Sequence, residues 1–149
     1  MPAIYILNGP NLNLLGVRDP SVYGRDTLAD IEERCLARAA SLDLQIEFRQ
    51  TNHEGELVDW IQEAGHKRAA GIVLNAAAYT HTSVAILDAI GAAGVPTIEV
   101  HITNIHAREP FRHKSYVSMA AKALVCGFGI AGYALAIDGL AALVKAGRS

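Results

Sequence analysis

At 149 residues the chain has the length of one domain with a single substantial core, and 51 % hydrophobic against 19 % charged residues leaves fewer surface charges than an ordinary monomer carries, which points to an oligomer that covers apolar surface. A formal net charge of −2 and a pI near 6.3 give no electrostatic footprint for nucleic acid or an anionic membrane. Cys35 and Cys126 lie far apart in apolar stretches without C-x-x-C spacing, and read as reduced core residues of a cytoplasmic protein.

The N-terminus enters a strand-like run without a basic n-region, which argues against a secretory signal. Ala3 to Asn8 is a near-continuous apolar run ended by Gly9-Pro10, the pattern of a central parallel strand. Gly9 to Asp26 shows neither helical nor strand periodicity, and so long a connection predicts a functional loop, with a lid at about 18–25 carrying Arg18 and Tyr23. Thr27 and Asp30, in capping-box spacing, predict a helix to about Ser41 with Leu28, Ile31, Cys35 and Ala39 on one stripe. Leu44 to Gln50 alternates as a strand nearer an edge. Thr51 or Asn52 is expected to cap a helix from about Glu54 to Lys67, with Leu57, Trp60, Ile61 and Ala64 facing inward.

Gly71 to Asn75 is a third strand, as apolar as the first, and Thr82 or Ser83 caps a helix to about Ala92 that carries Asp88 on a largely apolar body. A fourth strand starts at Pro96-Thr97, with Ile98, Val100 and Ile102 as its apolar set and Glu99 and His101 together on the alternate face. A dense polar stretch follows, including Thr103, Asn104, His106, Arg108, Glu109, Arg112, His113 and Lys114. A short helix near Val117 to Ala123, a fifth strand near Leu124 to Phe128 and a last helix from Gly129 to Lys145 complete the chain. The most apolar uncharged run, Ala123 to Ile137, is shorter than the ~20 residues of a bilayer span.

Five strands alternating with helices predict one domain over 1–149, an α/β, flavodoxin-like, doubly wound five-stranded parallel sheet with helices on both faces. Ligands of such sheets bind at the strands' carboxyl ends, where Asn8 with the Asn11 loop, Asn75 with His81, and His101 with Thr103 converge. G-x-G-x-x-G and the Walker pattern are absent after Asn8, and a zinc site from Glu99, His101 and His106 lacks any recognised spacing and has basic groups beside it.

What remains is cofactor-free acid/base chemistry on a small anionic or polyhydroxylated molecule. His101, oriented by Glu99, is a natural acid or base, and Arg108 and Arg112 suit a carboxylate or hydroxyls. Tyr23 beside Arg18 is a second candidate, because ionising an ordinary tyrosine at pH 7 costs roughly 4 kcal/mol and guanidinium groups reduce that cost. The residues alone do not choose between His101 and Tyr23 as the base. A module that binds a small anion without turning it over is the competing class.

The segments NGPNLNLLGVRDPSVYG (Asn8 to Gly24), FRQTNHEGELVDWI (Phe48 to Ile61), NAAAYTHTSVAILDA (Asn75 to Ala89) and EVHITNIHAREPFRHKSY (Glu99 to Tyr116) together resemble the type II 3-dehydroquinate dehydratases. The resemblance implies a dodecamer of four trimers, no metal or cofactor, and reversible dehydration of 3-dehydroquinate to 3-dehydroshikimate, in aromatic biosynthesis or quinate breakdown. By the same resemblance, Tyr23 is the base, activated by Arg18 with support from Arg108, and Asn11 with a water stabilises an enolate. His101, oriented by Glu99, protonates the leaving hydroxyl in an anti elimination. Ile102 and Thr103 hold the substrate carboxylate, Asn75, His81 and Arg112 its hydroxyls, and Asp88 reaches a neighbouring subunit's site. Ala76, Ala77 and Thr103 stand where many members have proline, glycine and serine, and are expected to shift the Asn75 to His81 turn slightly.

Overall fold

The computed structural model describes residues 3–17 and 19–147. Five parallel strands, β1 (Ala3–Asn8), β2 (Gln45–Gln50), β3 (Gly71–Asn75), β4 (Thr97–His101) and β5 (Ala123–Cys126), form one sheet in the order β2-β1-β3-β4-β5. That order is the flavodoxin-like one, and it places the reversal of winding between β1 and β3. Their last residues, Asn8 and Asn75, are register partners there.

Side chains of alternating parity build the two layers. Ile4, Ile6, Val73, Ile98 and Val100 pack with Ile31 and Cys35 of α2 (Leu28–Ser41) and Tyr133 and Ile137 of α5 (Ala131–Gly147). Tyr5, Leu7, Ile72 and Leu74 pack on the opposite side with Leu57 and Ile61 of α3 (Glu54–His66) and Ile86 and Ile90 of α4 (Val84–Ala93). The central strands β1, β3 and β4 are covered on both faces, which is why β1 and β3 are nearly unbroken apolar runs and why the polar residues of β4 are themselves buried. At its start α2 has the predicted capping box, the Thr27 hydroxyl accepting from Asp30 N–H and the Asp30 carboxylate from Thr27 N–H. Ser83 caps α4 by accepting from Ile86 N–H, and Gly94 ends it in the left-handed conformation.

Several boundaries differ from the sequence reading. The long connection after β1 is not devoid of helix: it holds a 3₁₀ turn at Leu12–Leu14 and a single turn, α1 (Pro20–Tyr23), with Pro20 at its first position and Gly24 N–H closing onto the Pro20 carbonyl. His53, not Thr51 or Asn52, occupies the position before α3; the Thr51 hydroxyl accepts from His53 N–H, and the Asn52 side chain is engaged with Asn11 and Gln50. Trp60 is half-buried, with the Arg49 guanidinium 5.5 Å from its ring centroid.

After β4, the predicted short helix contracts to a 3₁₀ turn at Val117–Met119, because Lys122 N–H already pairs with the Thr97 carbonyl as β5 begins. Both β5 and α5 are displaced by the left-handed Gly127 and Gly129, which end the strand at Cys126 and hold the helix start back to Ala131. Cys35 is fully buried, and burial pushes its thiol up to about 12; Cys126 is only half-buried on the edge strand, and both are free. Among the described residues no helix is long and apolar enough to cross a membrane.

Candidate active site

The carboxyl ends of β1, β3 and β4 and the loops that follow them enclose one cavity. Asn11, Tyr23, Asn75, His81, His101, Ile102, Thr103, Arg108 and Arg112 all line it, together with Pro10, Leu12, Ala77, Ala78 and Ile105. Gly9 makes the β1 turn possible: a Cβ there would meet the Ala76 carbonyl oxygen at 2.6 Å, and Gly9 N–H donates to the Asn75 carbonyl at 2.8 Å.

Strand alternation carries Glu99 and His101 to the same face of β4, where they are 0 % and 5 % exposed. His101 Nε2 lies 2.6 Å from Glu99 Oε2. Ser115 donates to the same oxygen at 2.8 Å, and Ser118 donates to Glu99 Oε1. Burial by itself would push the Glu99 carboxyl up, but the hydrogen bonds from His101, Ser118 and Ser115 outweigh it and hold the group below its ordinary value. An ionised carboxylate only accepts, so Nε2 carries a hydrogen and Nδ1 is left as the ring nitrogen that can exchange a proton with a ligand.

Tyr23 comes from the one-turn α1. Arg108 donates to its hydroxyl at 3.1 Å and to the Thr103 hydroxyl at 3.3 Å, and its guanidinium carbon sits 5.4 Å from the Tyr23 ring centroid. One guanidinium thus bridges the Tyr23 and Thr103 hydroxyls on the cavity wall. Arg18, the other arginine expected beside Tyr23, lies outside the described residues.

Asn11 adopts a left-handed conformation at φ 69°, a conformation asparagine tolerates, and its N–H is held by Asn52 Oδ1 at 3.0 Å. His81 Nδ1 lies 2.8 Å from the Lys114 carbonyl, which can only accept, so the neutral ring turns an unprotonated Nε2 outward. Burial pushes the His81 imidazole below its ordinary value, against the pull of that carbonyl, and the nearby His101, whose ring stacks at 6.4 Å, and Arg112 push the same way. Arg112 is held by both carboxylate oxygens of Glu109 at 3.2 Å. Asp88 is exposed on α4 and does not line this chain's cavity.

The two histidines of the conjectured zinc site are separated in role: Glu99 and His101 bind each other, whereas His106 is exposed beside the His113 ring. Among the described residues no group of three or more His, Cys, Asp or Glu is placed to hold a metal ion.

The family model described as dehydroquinase class II matches residues 2–141. The chain belongs to that family. It is 65 % identical over 142 residues to the 3-dehydroquinate dehydratase of Acidovorax sp. (strain JS42), covering 93 % of this chain and 96 % of that one. It is 60 % identical over 142 residues to the 3-dehydroquinate dehydratase of Brucella canis (strain ATCC 23365 / NCTC 10854 / RM-666), covering 95 % of this chain and 90 % of that one. Among solved structures, the type II dehydroquinase from Propionibacterium acnes superposes with a TM-score of 0.91 at 43 % identity, over 95 % of this chain and 97 % of that one. A 3-dehydroquinate dehydratase-like protein from Bifidobacterium longum gives 0.73 at 31 % identity, over 97 % of this chain and 99 % of that one.

In this dehydroquinase-family chain, four hydrogen-bond partners of the candidate site residues escaped the sequence reading: Ser115 and Ser118 against Glu99, Asn52 behind Asn11, and Tyr133 behind Asn75. Nothing local distinguishes a serine at the end of a polar loop, a serine in a short helical turn or a tyrosine in an apolar helix. A buried Glu99 does, however, demand more partners than His101 alone, and that demand is a usable signal.

Proposed function

We propose that the chain is a cofactor-free hydro-lyase that converts 3-dehydroquinate to 3-dehydroshikimate by anti elimination of water. Tyr23, as its anion, removes the proton from the carbon next to the ketone, and the electron pair passes to the ketone oxygen as an enolate. Arg108 and Arg18 stabilise the tyrosinate, and Asn11 with a water stabilises the enolate oxygen. As the enolate collapses into the conjugated double bond, His101 passes a proton to the departing hydroxyl, which leaves as water; Glu99 supports the imidazolium that makes this possible. Backbone N–H groups of Ile102 and Thr103 and the Thr103 hydroxyl take the substrate carboxylate, and Asn75, His81 and Arg112 take its hydroxyls.

The observation that carries this reading is the bond from Arg108 to the Tyr23 hydroxyl on the wall of the cavity that also holds the Glu99-backed His101. It supports the reading because the Tyr23 hydroxyl and the His101 ring line the same cavity, each with a charged partner, Arg108 and Glu99. Ultraviolet detection of an enone from 3-dehydroquinate, in protein stripped with chelator, tests it. Wild-type protein should turn over and Tyr23→Phe should fold and bind but not eliminate; near-normal kcat in Tyr23→Phe would remove Tyr23 from its role. An anion-binding module would show binding without the enone.

By family resemblance the chain is proposed to form a homododecamer of four trimers in which Asp88, exposed on α4, serves a neighbouring subunit's site, and the free thiols are consistent with a cytoplasmic setting. Sedimentation velocity tests the assembly, and a stable monomer would overturn it.

A further inference from the structure

Beneath the cavity a buried polar chain crosses the reversal point of the sheet. The Tyr133 hydroxyl of α5 donates to Asn8 Oδ1 at 2.7 Å and accepts from Asn75 Nδ2 at 2.9 Å. Asn8, Asn75 and Tyr133 are 0 %, 3 % and 0 % exposed, so none of the three exchanges these partners for water at will. Only Asn75 also lines the cavity.

Backbone groups at both ends dictate the direction of this chain. The Arg49 carbonyl can only accept, and it takes Asn8 Nδ2 at 3.1 Å, so Asn8 Oδ1 is the atom left for Tyr133 and the phenol must donate to it. The phenol then has only a lone pair for Asn75, which must present its amide nitrogen. At the other end Ala77 N–H, which can only donate, takes Asn75 Oδ1 at 3.1 Å. The two ends agree. A flipped Asn75 would set its oxygen against the phenol lone pair and its NH₂ against the Ala77 N–H, two unsatisfied contacts in a dry site. One lone pair of the Asn75 carbonyl oxygen and one amide hydrogen are thus engaged within the protein, and the second N–H is the donor left for a ligand.

We propose that Tyr133, braced by Asn8, is a positioning residue that fixes Asn75 as a hydrogen-bond donor to a hydroxyl oxygen of the bound substrate. The inference rests on the dehydration reading for the identity of that substrate. It also gives the site a polarity: a donor from Asn75, and from His81 an unprotonated Nε2 that accepts. Burial pushes the Tyr133 phenol far above its ordinary value, so it remains a donor to Asn8 across the working pH range.

The test is a double-mutant cycle on KM and kcat for 3-dehydroquinate with Tyr133→Phe, Asn75→Ala and the pair. Tyr133→Phe keeps the ring in the core and removes only the hydroxyl. It should raise KM by about five- to tenfold, the size of one lost hydrogen bond, with a smaller change in kcat. In the Asn75→Ala background the same change should raise KM no further. An unchanged KM in Tyr133→Phe, or an equal rise in both backgrounds, overturns the proposal, since a merely structural tyrosine would act independently of Asn75. If Tyr133→Phe does not fold, Asn8→Ala, which frees the phenol to reverse its donor, enters the same cycle with the same expectation.

Wild-type turnover judges the dehydration reading separately, and that reading stands even if the cycle is additive. Without turnover, the cycle is read from the calorimetric Kd for 3-dehydroquinate; absence of both turnover and binding overturns the two together.

Discussion

Arg108 joins Tyr23 to Thr103, donating to both hydroxyls from one nitrogen across 85 and 5 residues of sequence. The contact couples the proposed base to the proposed carboxylate cradle through a single guanidinium. Arg108→Lys retains the charge but loses the planar fork and its reach to two acceptors. Charge-assisted hydrogen bonds contribute about 1.5–3 kcal/mol, so kcat should fall by about 10- to 100-fold, with circular dichroism unchanged. A variant with wild-type kcat would show that the contact does not activate Tyr23.

Glu99 accepts from three side chains, and Ser118 is the donor to Oε1. Ser118→Ala removes that donor while leaving His101 and Ser115 in place. The carboxyl, now held below its ordinary value, should become easier to protonate, and a protonated Glu99 no longer supports the imidazolium of His101. The acid limb of the kcat profile should therefore move to higher pH, with kcat at neutral pH lower by about tenfold. An acid limb that stays where it is in wild type would sink the idea.

Ala77 sits at φ 51°, the left-handed region where an alanine Cβ is crowded and where the resemblance expects glycine. Its N–H is nonetheless needed by Asn75 Oδ1, so the turn is held against its preference. Ala77→Gly should stabilise the fold by about 1 kcal/mol, the relief at this φ exceeding the added freedom of the unfolded chain. Urea denaturation checks this, and a lower midpoint would contradict it.

Away from the cavity, Glu63 is bound by Arg49 at 3.1 and 2.7 Å and by the Tyr5 hydroxyl at 2.6 Å. The Arg49 and Tyr5 hydrogen bonds hold its carboxyl at about 2 against an ordinary 4.5. Because the folded state takes up the proton less readily than the unfolded chain, this stabilisation is fully present above pH 4.5 and is lost as pH falls from 4.5 towards 2. Glu63→Gln should lower Tm at pH 7 and flatten its fall over that interval. Parallel Tm curves for the two proteins would show that Glu63 contributes nothing to acid stability.

The sequence was most legible where local pattern and burial coincide. The bounds of β1 and β3 follow from it, because strands covered on both faces are apolar along their length and turn polar where they emerge, at Asn8 and Asn75; the start of β4 follows from Pro96 and its alternating apolar set. The capping box of α2 is equally local, spanning three residues. The convergence of three strand ends follows from the alternation of strands and helices, and it already placed Asn11, Asn75, His81, His101 and Thr103 near one another.

Tertiary structure alone decided the partners. Tyr23 meets Arg108 across 85 residues, Tyr133 meets Asn75 and Asn8 across 58 and 125, and Ser118 reaches Glu99 across 19. None of these pairs has a spacing that a helix or strand imposes. They exist because a buried polar group must be satisfied wherever the packed chain brings a donor or acceptor to it, and the choice of which one is made by the whole fold.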